Sequence, residues 1–160
     1  MNNTTNTEAA ADKYLDLRAA ALAATVLMLI ENNEVLASVA AAKLPAGLEP
    51  ANIRSTGQKE RTTRIRNLLK ACGVKMGARG RGVSVKAATG SMCYWTHVRF
   101  EGLDSCETAP HSRFECATCL ANKATRDKLV DLILTAFPDL GDRSDAMVDH
   151  FDFVFTVNGC

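Results

Sequence analysis

Cys106 to Cys119 reads CETAPHSRFECATC, three cysteines and a histidine spaced C-x4-H-x4-C-x2-C. Thiolate and imidazole are the ligands zinc takes in a tetrahedron, and the two residues between Cys116 and Cys119 let both sulfurs face one ion. Cys106 and His111 would complete the set, with Pro110 helping the chain turn between them. Four protein ligands leave no open position for a substrate, so the expected Zn2+ is structural. It would fold a segment with almost no apolar residues beyond Leu103 and Phe114.

The spacing is that of a retroviral zinc knuckle read backwards, which keeps the ligand count and loop lengths but not the local backbone. Two other readings stay open. Cys116 and Cys119 stand near the start of the next helix, where a thiolate is stabilised, so they fit a redox pair. The polar PHSRFE before them is unlike the hydrophobic strand that precedes thioredoxin-like pairs. They also fit ordinary reduced cysteines in a surface loop. Cys93 and His97 cannot chelate together, because four residues along a strand separate them by about 13 Å. Cys72 reads as a core residue and Cys160 as a terminal thiol.

A second set of residues suits phosphate. The formal net charge is only +1, yet ten Lys/Arg and a single acid, Glu60, fall between Arg54 and Lys86. Lys59, Arg66 and Lys70 share a helical face that Arg61 and Arg64 flank. Arg79 and Arg81 sit between glycines in GARGRG, where backbone can approach a polyanion closely. Trp95 and Arg99 lie on the non-core face of a following strand, and an aromatic beside cations can stack on an unpaired base. The competing reading of Trp95 is burial beneath the N-terminal helices. The expected partner is a nucleic acid or a nucleoprotein complex. The bland reading of the charge is that basic and acidic thirds neutralise each other across the fold.

Enzyme signatures are missing. The chain carries no P-loop, no dinucleotide fingerprint and no nucleophile elbow. Its carboxylates cluster in DRSDAMVDHFD, where Asp142, Asp145 and Asp149 could share a helical face and bind Mg2+. Helix capping by Asp142 and a solvated acidic face explain them as well. The expectation is a protein without catalytic activity.

These residues need elements to hold them. The 160 residues, 47% hydrophobic and 23% charged, suit one globular core. MNNTTNTEAAAD lacks the basic and apolar regions of a signal peptide. The apolar run Ala19 to Ile30 is too short for a bilayer. A cytoplasmic protein without a membrane partner is expected.

Periodicity then divides the chain. Residues 1–6 form a disordered tail, and 7–44 a helical hairpin of about 8–31 and 34–43 broken at Asn32 and Asn33. PAGLEP opens a linker over 45–56. An α+β domain follows over 57–160. Ile65, Leu68, Leu69 and Cys72 make one apolar stripe on a helix that Gly73 caps. VSVKA and MCYWTHVRF read as a hairpin, with Met92, Tyr94, Thr96, Val98 and Phe100 inward and Cys93, Trp95, His97 and Arg99 outward. The zinc insertion takes 104–120. A helix from about Asn122 to Ala136 turns Leu129, Leu132, Ile133 and Ala136 inward. FPDLGDRSD is a loop or short turn, and alternation in FDFVFTV gives a half-buried strand. The expected fold is α+β, with N-terminal helices before a small antiparallel sheet. A winged helix-turn-helix with a C-terminal extension is the alternative.

The stretch RIRNLLKACGVKMGARGRGVSVKAATGSMCYWTHVRFEG resembles the α-β-β-α modules called large polyvalent protein-associated domains. The likeness rests on an IRxxLK helix, a VSVK strand, a Trp-containing second strand and a later D-x-M-x-D segment at Asp145, Met147 and Asp149. It covers about residues 65–150, and the cysteine insertion departs from it. It implies a phage or plasmid origin and no set chemistry. Within that frame the expected role is a zinc-stabilised accessory protein that binds nucleic acid. The alternative is an anti-CRISPR-like inhibitor, whose acidic C-terminal third binds a host defence nuclease.

Overall fold

The computed structural model describes residues 4–77, 81–87, 96–101, 116–141 and 153–157. Its elements are α1 (Thr4–Asn32), α2 (Glu34–Ala41), α3 (Gln58–Ala71), β1 (Gly82–Ala87), β2 (Thr96–Glu101), α4 (Ala117–Ala136), a 3-10 turn (Pro138–Gly141) and β3 (Phe153–Val157). This is the expected α+β order of N-terminal helices before a small sheet. β1 and β2 are antiparallel, with Val85 opposite Val98. β3 joins the far side of β2 and runs parallel to it, with Phe155 beside Val98. Parallel neighbours need a crossover connection, and α4 lies within it. Helix α4 also packs on α1, α2 and α3. It is thus part of the core and not an extension appended to a winged helix.

The hairpin alternation holds where the strand is described. Thr96, Val98 and Phe100 are fully buried beside Val83 and Val85, while Arg99 is exposed and His97 half-buried. Helix α3 lays Ile65, Leu68, Leu69 and Cys72 on that inner face, and α4 adds Leu129, Leu132, Ile133 and Ala136. Val35, Leu36 and Val39 of α2 join the same cluster. Each such aliphatic side chain, fully buried, stabilises by about 1.5–3 kcal/mol.

Local chemistry sets the ends of the helices. The Asn33 Oδ1 accepts from the amides of Val35 and Leu36, at 3.0 and 3.3 Å, and so starts α2. Gly73, at φ +84°, ends α3. Its N–H reaches the Lys70 carbonyl and the Val74 N–H reaches that of Leu69, both at 3.0 Å. That pair of bonds is a Schellman cap, which needs a left-handed residue where glycine stands. The segment expected as a linker is tied down instead. Ile53 is fully buried, and the Ala51 N–H donates to the Ala136 carbonyl at 2.9 Å. The Arg54 N–H donates to Asp139 Oδ2 at 2.6 Å.

The outer edge of β1 is covered. The Val83 N–H donates to the Lys75 carbonyl at 3.0 Å, and the Gly77 N–H donates to the Val83 carbonyl at 2.7 Å. The chain crosses itself closely here. A Cβ on Gly82, at φ +116°, would fall 2.7 Å from the Gly77 Cα. One residue pair further on, the Arg66 Nη2 donates to the Val85 carbonyl at 2.6 Å.

Two boundaries differ from expectation. Helix α4 starts at Ala117, not near Asn122, so the segment assigned to the zinc insertion ends in a helical turn. Helix α1 starts at Thr4, not near Glu8, and every residue from Asp12 to Thr25 is exposed. Among the described residues no helix is long and apolar enough to cross a membrane.

Candidate nucleic-acid interface

The stripe of α3 that buries Ile65 and Leu69 leaves the opposite side to solvent. Lys59 and Lys70 are exposed there, and helical spacing puts them on one stripe with Arg66. Arg66 itself is half-buried and held on the Val85 carbonyl. It is therefore an edge cap as well as a cation, because an edge carbonyl needs a donor. The bond also brings this flank of α3 beside the β1 edge. Arg64 is exposed and forked onto the Glu60 carboxylate, at 3.0 Å from Nε and 2.6 Å from Nη2. An exposed pair of this kind contributes little stability, and a phosphate can displace the carboxylate.

Arg61 does not belong to this surface. It is 6% exposed, and its Nη2 donates to the Thr56 carbonyl at 3.5 Å. The reason is positional. Arg61 stands four residues before Ile65 and seven before Leu68, so it falls on the buried stripe itself. Its stem packs in the core margin while the guanidinium turns back toward the chain before α3.

Beyond the β1 edge the cations continue onto the face of the sheet opposite Val98 and Phe100. Ser84 pairs with Arg99 and Lys86 with His97 across the two strands. Lys86 and Arg99 are exposed. Arg81, also exposed, precedes β1 at the end where Gly82 pairs with Glu101. Lys59, Lys70, Arg81 and Arg99 make no ion pair among the described residues. The His97 imidazole titrates below its ordinary value, first because burial penalises the charged form and then because Arg99 is near. Lys86 is the member that the sequence-derived set lacks. The alternation of VSVK carries its signal, since it puts Lys86 on the side of the strand opposite Val83 and Val85.

Gly77 and Gly82, the outer glycines of GARGRG, serve the fold. Gly77 and Gly82 meet each other at the chain crossing, so their missing side chains serve backbone packing. Arg81 borders a hollow of about 280 Å³ with Asn32, Asn33, Glu34, Val35 and Lys75. Lys75 there is paired with Glu34. Arg79 and Trp95 lie outside the described residues, as do Asp142, Asp145 and Asp149.

The cysteine cluster is described in half. Cys116 is the N-cap of α4, and its Sγ accepts the Cys119 N–H at 3.4 Å. Cys119 is in the first turn, and both residues are half-buried. The two intervening residues let both sulfurs face one ion. The pair thus fits one half of a tetrahedral site. Cys106 and His111 lie outside the described residues, and among those described no three His, Cys, Asp or Glu residues gather to hold a metal. Cys72 is buried among the core residues, where burial raises its thiol pKa and Lys128 partly offsets the rise. Comparison of the chain with models of protein families, with curated proteins and with solved structures finds no match.

Proposed function

We propose that this protein binds nucleic acid, free or within a nucleoprotein complex, through a cationic band that wraps the β1 edge. The band runs from Arg99 and Lys86 on the sheet, past Arg81, to Arg66, Lys70 and Lys59 on α3. The observation that carries the reading is the set of exposed cations on both sides of one edge, four of them without an ion pair among the described residues. A band of this kind contacts phosphates along a backbone and reads no sequence by itself. Arg64 joins it when phosphate replaces Glu60. Zinc at Cys116 and Cys119, completed by Cys106 and His111, would stiffen the connection between β2 and α4 and so hold the sheet face in place. The reading is of a binding protein, not of an enzyme.

Anisotropy titrations against single-stranded and duplex oligonucleotides at two salt concentrations test it. Neutralising several phosphates releases condensed counterions, so the affinity should fall steeply as salt rises. Lys86→Glu with Arg99→Glu should weaken binding to all sequences by similar factors. Failure of folded protein to bind any oligonucleotide at low salt would overturn the reading and leave the cations to an acidic protein partner.

A further inference from the structure

Helix α1 presents two apolar stripes, and one of them packs on the body of the protein at its C-terminal end, beyond Thr25. Val26, Leu29 and Ile30 pack against the core, and the exposed Leu15 and Leu22 continue their line along the helix. Tyr14, Leu17, Ala21, Ala24 and Met28 make the second stripe, alternately three and four residues apart. That is the spacing of a coiled-coil seam. At 3.6 residues per turn it lies roughly 150° round the helix from the core-facing stripe. Tyr14, Leu17 and Met28 are 65%, 63% and 60% exposed.

We infer that this stripe pairs with the same stripe of a second copy, the two α1 helices running antiparallel about an axis near Ala19. The large and small residues alternate so that this register fits itself. Leu17 meets Ala21 of the second copy, and Tyr14 meets Ala24. Each of these contacts occurs twice by symmetry. A parallel pair would instead stack Tyr14 on Tyr14 and Leu17 on Leu17, and would leave voids at Ala21 and Ala24. Such voids forfeit packing on both sides.

The area is enough for a modest dimer. The contact spans residues 10 to 28, about 28 Å of helix, and buries on the order of 1,200 Å² over both copies, the lower limit for a stable specific interface. The two bodies do not collide, because each sits on the face of its own α1 that turns away from the seam. Arg18 flanks the seam close to the axis and so stands near Arg18 of the second copy. Salt screens that repulsion, so the dimer should tighten as salt rises, opposite in sense to phosphate binding.

Sedimentation of the nuclease-treated, reduced full-length chain over a concentration series tests the inference. Dimer should form toward about 100 μM and tighten in high salt. Leu17→Glu should give monomer at every concentration. Its helical circular dichroism should match that of the parent, because Leu17 touches no core residue. Ala21→Leu is the discriminating change. It collides with Leu17 in the antiparallel register and should weaken the dimer about tenfold or more, whereas in a parallel pair it fills a void. A chain monomeric at all concentrations, or a dimer that Ala21→Leu strengthens, would overturn the inference.

Discussion

The Thr62 and Thr96 hydroxyls lie 3.0 Å apart in the core, where α3 crosses β2. Both residues are almost fully buried, so each hydroxyl satisfies the other away from water. Thr62 joins the helix to β2, which has a neighbouring strand on both sides.

Removing one member should cost more than removing both. Thr96→Val keeps the shape but strands the Thr62 hydroxyl, at about 1–3 kcal/mol. The double change Thr62→Val with Thr96→Val should cost less than the two single changes added together. Urea melts of the four proteins measure the coupling, and strict additivity would show that the hydroxyls do not depend on each other.

Arg66 and Lys70 should separate stability from binding. Arg66→Met removes the donor to the Val85 carbonyl and should lower stability by about 1–3 kcal/mol, because an edge acceptor is left bare. Lys70→Met should change stability by no more than about 0.5 kcal/mol, as exposed substitutions do. If both are phosphate contacts, each should still reduce the steepness of the salt dependence by about one unit. Paired melting curves and salt titrations read the two effects apart.

His97 should make the protein sensitive to mild acid. Its folded pKa is lowered, by burial first and by Arg99 second, so the unfolded chain binds the proton more readily. Stability should therefore fall as pH drops through about 6.5 and level off below the folded value. Phosphate beside His97 favours the imidazolium, so binding should take up a proton and tighten over the same window. His97→Gln should flatten both profiles. A binding profile unchanged by that substitution would place phosphate away from the sheet face.

Metal content should follow the cysteines. Purification without chelators should yield about one zinc per chain, by elemental analysis, if Cys106 and His111 complete the Cys116–Cys119 half-site. Cys116→Ser with Cys119→Ser should abolish it. Zinc-free protein from the same preparation would leave the two thiols as an N-cap and its neighbour.

The buried faces were legible because burial imposes a period. Leu129, Leu132, Ile133 and Ala136 on α4, and Thr96, Val98 and Phe100 on β2, are buried where their spacing put them. Arg61 was legible too, since it shares the stripe of Ile65 and Leu68, but its charge outweighed its position. Arg66 was not. Its acceptor lies nineteen residues away and belongs to the backbone, which leaves no mark in residue type. The start of α4 was hidden because Cys116 caps it with sulfur, where Ser, Thr, Asp or Asn is the usual signal. The parallel partner of β2 could not be read either, because a strand's own alternation says nothing about its direction.

The covered flank of β1 also governs how chains meet at high concentration. A bare strand edge is a template on which another chain can add a strand, and fibres grow that way. Here the backbone of Lys75–Gly77 occupies one stretch of the edge and the Arg66 guanidinium blocks the next carbonyl. The same side chain that serves the cationic band thus acts as a gatekeeper against strand-templated polymerisation, and the Arg66→Met chain should nucleate thioflavin-positive fibrils sooner than its parent.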